Sequence, residues 1–432
     1  LSLIPVDEAV RRVLEHAHPL PAEQVALLEV DLGGRVLAQP LRAAWDVPAD
    51  ALSAMDGYAV RADALQADQT YPVAVHVPAG RGDLVTLLAG TVARIFTGAP
   101  LPSGADAVVL QEDTEVLEPS GDAPRVRLRA TVTAGENVRR RASDVAAGQT
   151  LFNAGHALRP ADLNVLLAQG VLTAPLHRRP TVALLSSGDE LIEPGGGPPG
   201  RGQVVNGNAW ALAAAVREAG GVPRVLPRVV DDRAATARAV DEALSADVLV
   251  TTGGVSVGDH DHMGPALAAR CADTLGFWKV ALKPGKPLLY GRVGARHVFG
   301  LPGNPVSALV TFELFVRPVL LRLLGHDRVL RRPALVPVVH ALPATGRRAE
   351  YLRARLDHDP LGAPRVDARR NQSSGALTSL AGADALIVRR PDASAVEAGA
   401  SVSVLSLGPD APWSRLQLDR YAGPELEDRG AE

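Results

Sequence analysis

The sequence predicts a multidomain α/β protein in which a helix-covered parallel sheet is flanked by β-rich segments. Three observations carry this. The 432 residues are enough for about three domains of ~150 residues each, every one with its own core. Beyond Thr181, apolar strand-like runs alternate with helical ones, the pattern of a parallel sheet with crossover helices. From Trp45 to Arg140, and again from about Arg332, the pattern changes to short alternating stretches set off by Gly, Pro and Asp.

Taken in order, PVDEAVRRVLEHA has helical spacing, and a second segment follows that Gly33-Gly34 would break. Helical spacing returns in ADLNVLLAQG after Pro160, so 1–44 and 140–176 are expected to form a discontinuous helical N-terminal domain. Stretches such as TYPVAVHVPAG and VRLRATVTAG make 45–139 an inserted β-rich domain, and TAPLHRRP reads as a linker. Over 177–329, TVALLSS leads to NAWALAAAVREAG, VPRVLPRVV to ATARAVDEAL, and DVLVTTGG to MGPALAARCAD, each a strand followed by a helix. FWKVALKPGKPLLYGRV and HVFGLPG add extended segments before a helix that starts near Pro305. Residues 330–432 are expected to form a small C-terminal β domain.

Composition excludes several classes. With 45 basic and 48 acidic side chains the formal charge is −3, against the basic surface that nucleic-acid binding needs, and 15 aromatic residues are too few for base-stacking platforms. The longest apolar candidate, Asn304 to Leu324, is broken by Glu313, Arg317, Pro318 and Arg322, so no membrane helix is expected. The opening LSLIPVDEAVRRVLEHA has no basic region followed by an apolar one, so no secretory leader is expected, and the simplest placement is cytoplasmic. The single cysteine, Cys271, lies in an apolar-periodic run and reads as a buried, inert thiol.

Of the 45 basic residues 42 are Arg, and the three lysines sit together at Lys279, Lys283 and Lys286. A chain that writes Arg wherever a cation will do keeps Lys where a compact point charge is needed, which suggests an anion or a proton-transfer step. Chance survival on a solvated loop is the alternative.

Ligands of an open parallel sheet bind beyond the carboxyl ends of its strands. Those ends carry Ser187 to Glu190, Asp231-Asp232, Thr251 to Asp261 and Leu301 to Pro305. Gly253 and Gly254 can let main-chain N–H groups approach an anion, although a structural tight turn explains them as well. Asn304 reads as an N-cap with Pro305 as the first helical residue. Glu190, Asp231, Asp259 and Asp261 offer hard oxygen ligands that suit Mg²⁺ held together with phosphate; Asp231, just before a helix, reads as a cap too. His260 and His262 are read as surface residues. The rim as a whole suits a phosphorylated, nucleotide-linked substrate.

These residues lie in longer motifs: SAMDGYAVR (Ser53 to Arg61), IFTGAPLP (Ile95 to Pro102), SSGDEL (Ser186 to Leu191), TTGGVSVGDHD (Thr251 to Asp261), FWKVALKPGKP (Phe277 to Pro287) and GLPGNPVSA (Gly300 to Ala308). In that order the sequence resembles the molybdopterin molybdenumtransferase family, the bacterial MoeA enzymes and the gephyrin and plant E-domains. The resemblance implies an elongated homodimer whose α/β domain binds molybdopterin. It implies Mg²⁺-dependent insertion of molybdate into adenylylated molybdopterin, with release of AMP and molybdenum cofactor, and contact with other proteins of that biosynthesis. Adenylyltransfer to molybdopterin and a gephyrin-like scaffold role are the alternatives.

Carried over motif by motif, Asp56, Lys279 and Lys283 resemble catalytic residues, and Thr97 resembles an active-site residue contributed, like Asp56, by the β-rich region. Asp144 resembles an aspartate that follows a basic run, Glu190, Asp231 and Asp261 the acids of the metal and pyrophosphate region, and Ser256 part of the loop over the pterin nucleotide. Gly253 and Gly254 open that loop, and Pro302, Asn304, Pro305 and Ser307 are expected to shape the anion pocket. Arg353 and Ser374, in YLRA and NQSSG, would complete the molybdate site. The sequence departs from the family pattern at Ala142 and Ala354, where glycine is usual, and in NQSSG.

Overall fold

A computed structural model describes residues 3–28, 31–32, 34–80, 83, 85–117, 124–254, 262–359, 361–368 and 371–407. The chain divides into a larger unit of Leu1–Val25, Asp31–Ala38 and Pro175–Glu432, and a smaller one of Ala26–Val30 and Gln39–Ala174.

The first helix, α1 (Val6–Glu15), belongs to the larger unit. Its apolar residues recur at helical spacing, burying Ala9 and Val13, while Asp7 and Glu8 in the first turn complement the helix dipole. Helix does not continue to residue 44: prolines 19, 21 and 40 interrupt the pattern, and the segment instead supplies the strands Ala22–Ala26 and Leu41–Arg42. Residues 140–176 likewise hold one helix, with strands at Thr150–Phe152 and Thr173–His177. The expected helical N-terminal segment is therefore one helix at each end of mostly extended chain.

The smaller unit is built on a six-stranded sheet of β1 (Gly57–Val60), β2 (Thr70–Val77), β3 (Val92–Ile95), β4 (Ala107–Leu110), β5 (Thr114–Leu117) and β6 (Arg125–Leu128), in the order β4-β1-β3-β2-β6-β5. All neighbours run antiparallel except β3 and β2. Gly57 is required at the start of β1, because a Cβ there would stand 1.9 Å from the Val109 carbonyl oxygen. The helix α2 (Pro160–Ala168) starts with Pro in its first turn, and its Asp162 accepts the Arg159 N–H at 2.9 Å.

In the larger unit the chain alternates as the sequence predicts: β7 (Thr181–Ser186), α3 (Gly207–Glu218), β8 (Val222–Val225), α4 (Arg233–Ala243), β9 (Val248–Thr252) and α5 (Met263–Arg270). Then come β10 (Phe277–Lys279), β11 (Leu282–Lys283), β12 (Pro287–Val293), β13 (Arg296–Leu301), α6 (Pro305–Thr311) and α7 (Arg317–Leu323). The sheet runs β8-β7-β9-β13-β12-β10. Its first four strands are parallel, and β12 and β10 add an antiparallel edge, so the sheet is mixed rather than wholly parallel. The cause is local: only Gly294 and its neighbours join β12 to β13, which allows a hairpin and no crossover. Apolar layers cover both faces, with α3 and α6 over one and α4 and α5 over the other.

The C-terminal part comprises β14 (Ala334–Pro337), β15 (Ala349–His358), β16 (Pro364–Ala368), the helix α8 (Leu377–Ala381), β17 (Ala385–Arg389) and β18 (Ser401–Ser406). Its sheet runs β11-β15-β17-β18-β14, with β16 beside β15, so the lysine-bearing β11 extends a sheet of the following domain. Cys271 is fully buried and burial pushes its thiol up to about 11, as expected of an inert cysteine. Among the described residues, no helix is long and apolar enough to cross a membrane.

Candidate functional site

The carboxyl ends of β7, β9 and β13 converge as a parallel sheet requires. Ser187 donates its N–H to the Thr252 carbonyl at 3.1 Å, and the Ser186 and Thr252 hydroxyls are 3.1 Å apart. Gly253 follows at φ +84°, where a Cβ would stand 2.5 Å from the Ser187 carbonyl oxygen. The turn is thus glycine by necessity. Gly303 packs against Gly253, and the Gly303 carbonyl accepts from Asn208 Nδ2 at 2.7 Å. Three strand ends and the first turn of α3 therefore meet at one rim.

The acids of this rim separate into distinct roles. Asp232, not Asp231, caps α4, accepting the Ala235 N–H at 2.7 Å. Asp231 is left to the rim: its Oδ1 accepts from the Ser187 hydroxyl at 3.0 Å, and its N–H donates to Asp189 at 3.1 Å. Glu190 is exposed, with its carboxylate against Gly188. Ser256 and Asp261, with Asp259 and His260, lie outside the described residues.

On the next loop Pro302 is buried, Pro305 opens α6, and Ser307 is buried in its first turn. Asn304 holds the N-cap position but its side chain makes no cap bond. Instead Asn304 Nδ2 donates to the Ser374 hydroxyl at 3.0 Å, and the Val306 N–H donates to the Ser374 carbonyl at 3.3 Å. Two residues separated by 70 positions are thereby brought together. Arg353 on β15 secures the loop that carries Ser374: its Nε donates to Ser379, and its Nη2 to the carbonyls of Asn371 and Ser373. The guanidinium is buried without a carboxylate partner among the described residues, and burial draws its pKa down. Its Nη1 has no described protein partner, which suits an anion in contact with it.

The lysines stand along the edge formed by β10 and β11. The turn between Lys283 and Lys286 packs on α6, since a Cβ at Gly285 would stand 2.5 Å from Thr311 Cγ2. Lys283 is exposed and pairs with Glu350 at 2.9 Å, whereas Lys279 is half-buried and its ammonium has no described partner. Lys286 is exposed.

Within the smaller unit Asp56 and Thr97 form a constellation of their own. Asp56 Oδ1 accepts the Thr97 N–H at 2.7 Å and the Thr97 hydroxyl at 2.8 Å. These two bonds, with the Arg94 charge, hold the Asp56 carboxyl below the usual range. The Arg94 guanidinium stacks on Phe96 and Tyr58 and donates to the Gly57 carbonyl, which stiffens the turn carrying Asp56. Asp144 is exposed, its N–H donating to the Val47 carbonyl at 3.0 Å.

Sequence reasoning passed over Asn206, Asn208 and Glu350. The Asn-Gly-Asn run at the start of α3 is a legible helix-start signal, whereas nothing local marks Glu350 as the partner of Lys283.

Comparison with known proteins is consistent along the chain. Residues 4–170 match the model of the MoeA N-terminal region (domain I and II), 183–322 that of a probable molybdopterin binding domain, and 336–407 that of the MoeA C-terminal region (domain IV). The chain is 37% identical over 410 residues to molybdopterin molybdenumtransferase 2 of Mycobacterium tuberculosis, covering 92% of this chain and 97% of that protein. It is 34% identical over 430 residues to the molybdopterin molybdenumtransferase of Bacillus subtilis, covering 96% and 97%. The crystal structure of a molybdopterin biosynthesis MoeA protein from Pyrococcus horikoshii superposes with a TM-score of 0.79 at 27% identity, over 94% of this chain and all of that one.

Proposed function

Because the chain belongs to the molybdopterin molybdenumtransferase family, we propose that it inserts molybdate into adenylylated molybdopterin, releasing AMP and forming molybdenum cofactor. The geometric observation that supports this best is the Asn304 and Ser374 pair, with the loop carrying Ser374 secured by a buried guanidinium. A cation with neutral donors suits a tetrahedral oxyanion. Arg353 Nη1, Ser374 and Asn304 hold molybdate, with Lys279 and Lys283 adding point charge and Pro302, Pro305 and Ser307 shaping the wall. Lys283 Nζ spends one donor on Glu350 and keeps two. The turn at Gly253 and Gly254, with Ser256 after it, approaches the nucleotide phosphates.

The donor chemistry of the rim fits Mg²⁺, which keeps several waters and binds through one or two carboxylates plus phosphate. Among the described residues no three His, Cys, Asp or Glu stand together as a ready metal cage. Glu190, Asp231 and Asp261 would hold the ion, and bound there it would neutralise phosphate charge. Asp56 is the proposed catalytic carboxylate: Thr97 fixes Oδ1 and leaves Oδ2 to accept from substrate or water. Asp144 is assigned to substrate binding. The family resemblance extends the proposal to a cytoplasmic homodimer that meets other proteins of the same biosynthesis.

Purified protein given adenylylated molybdopterin, molybdate and Mg²⁺ is expected to release AMP, with Asp56→Asn slower by tenfold or more. Wild type that releases no AMP, or that consumes ATP instead, would defeat this reading.

A further inference from the structure

Asp56 sits in a turn, and Thr97 fixes its side chain at one oxygen only. The main chain of that turn is held from elsewhere. Three consecutive carbonyls are engaged: Met55 accepts the Ser53 hydroxyl at 2.6 Å, Asp56 accepts the Gln111 N–H at 3.1 Å, and Gly57 accepts from Arg94 Nη1 at 3.1 Å. Arg94 Nη2 donates in turn to Gln111 Oε1 at 2.7 Å. A single guanidinium fork on β3 thus spans from β1 to the turn that follows β4, closing a ring of bonds through Arg94, Gln111, Asp56 and Gly57.

Both outer members of the ring are themselves fixed. The guanidinium carbon lies 5.1 Å from the Tyr58 ring centre and 4.8 Å from that of Phe96, and the Gln111 carbonyl accepts the Thr114 hydroxyl at 2.7 Å. Gln111 is exposed and belongs to none of the motifs that carry the family resemblance. A surface glutamine adds little to stability through such a bond. It is placed instead to set geometry, because with Oδ1 held by Thr97 the aim of Oδ2 follows from the Asp56 main chain. Misplacing a reacting group by ~1 Å can cost about 100-fold in rate.

Resting on the assignment of Asp56 as the catalytic carboxylate, we propose that Gln111 and Arg94 are a positioning pair for it. Gln111 receives one arm of the Arg94 fork and binds the Asp56 carbonyl, so that Oδ2 is presented to substrate in one direction. Arg94 adds the charge that favours the ionised carboxylate.

The test separates geometry from charge. Gln111→Leu removes the acceptor of the fork, keeps every charge, and alters no buried residue. At pH 8 it is expected to lower kcat for AMP release about tenfold, with KM for adenylylated molybdopterin within twofold, the mark of an interaction used in the transition state. Gln111→Glu gives the fork an acceptor again and is expected to bring kcat back to within threefold of wild type. Arg94→Lys keeps the charge but loses the fork, so kcat falls while the acid limb of the pH profile stays in place. Arg94→Met loses both, and the acid limb moves to higher pH because Asp56 then holds its proton longer. Wild-type kcat in Gln111→Leu, or a loss that Gln111→Glu does not restore, would overturn the pair. Wild type that releases no AMP is instead a failure of the functional reading. The carbon-13 titration of the Asp56 carboxyl, assigned by its absence in Asp56→Asn, then decides: a midpoint raised in Arg94→Met supports the pair, and an unmoved one removes Arg94 from it.

Discussion

Ala142 adopts φ +58°, a left-handed conformation that costs an L-residue roughly 1–2 kcal/mol. The loop is held in this shape by the Ala142 N–H on the Pro48 carbonyl and the Asp144 N–H on the Val47 carbonyl. Glycine has no such penalty, although it loses about 0.5–1 kcal/mol more entropy on folding. Ala142→Gly is therefore expected to raise stability by about 0.5–1 kcal/mol in urea unfolding with no loss of AMP release; a destabilised variant would show that the loop is not strained. The lysines call for a different argument. Lys279 has no described partner and Lys283 shares its charge with Glu350, so a change to Arg keeps the charge of both but replaces a mobile ammonium by a planar fork. Lys279→Arg and Lys283→Arg are expected to lower AMP release at least tenfold, and Lys286→Arg to leave it near normal. Full activity in both of the first two would return the cluster to a chance survival of composition.

Between elements, a bidentate ion pair joins the starts of β7 and β9. Asp247 accepts from the Arg178 fork at 2.7 and 2.6 Å, and from the Thr181 N–H and hydroxyl at 2.8 Å. Burial opposes ionisation of Asp247, but these four bonds outweigh it and hold the pKa at about 2. A depressed carboxylate pKa gives stability that is present above the unfolded value, near 4, and lost as pH falls through the folded one. At ~1.4 kcal/mol per unit, reduced by solvent screening of a partly exposed pair, this is worth about 1–2 kcal/mol. Asp247→Asn should lower unfolding stability by about that amount at pH 7 and flatten its loss between about pH 4 and pH 2; an unchanged acid limb would remove Asp247 from the linkage. Elements of this kind were only partly legible in the sequence. The alternation of β7, α3, β8, α4, β9 and α5 could be read because each apolar run carries its own period. The antiparallel β12-β13 edge, the partnership of Lys283 with Glu350 across 67 residues, and the capture of Asn304 by Ser374 rather than by its own helix are pairings between distant segments, which no local period records. The assignment of Asp232 rather than Asp231 as cap turned on a one-residue offset that only backbone geometry decides.

For the whole molecule, the division into two units makes a thermodynamic statement. Each has its own buried apolar clusters: Ile95 lies in one with Ala59, Val77 and Val108 in the smaller unit, and Leu249 in one with Ala183, Val240 and Leu267 in the larger. A unit with its own core can unfold as its own cooperative step, and a chain of this length is not bound to two-state behaviour. Calorimetry of the full protein is therefore expected to resolve two transitions. Ile95→Val removes one buried methyl, at a cost of about 0.5–1.5 kcal/mol, and should lower only one transition, by roughly 2–4 °C per kcal/mol. Leu249→Ala, costing about 2–5 kcal/mol, should lower only the other. The pair of variants is decisive because each reports on a core the other does not touch. If both move a single common transition, the chain unfolds as one cooperative body, and substitutions near Asp56 would then have to be judged by their effect on the stability of the larger unit as well as on AMP release.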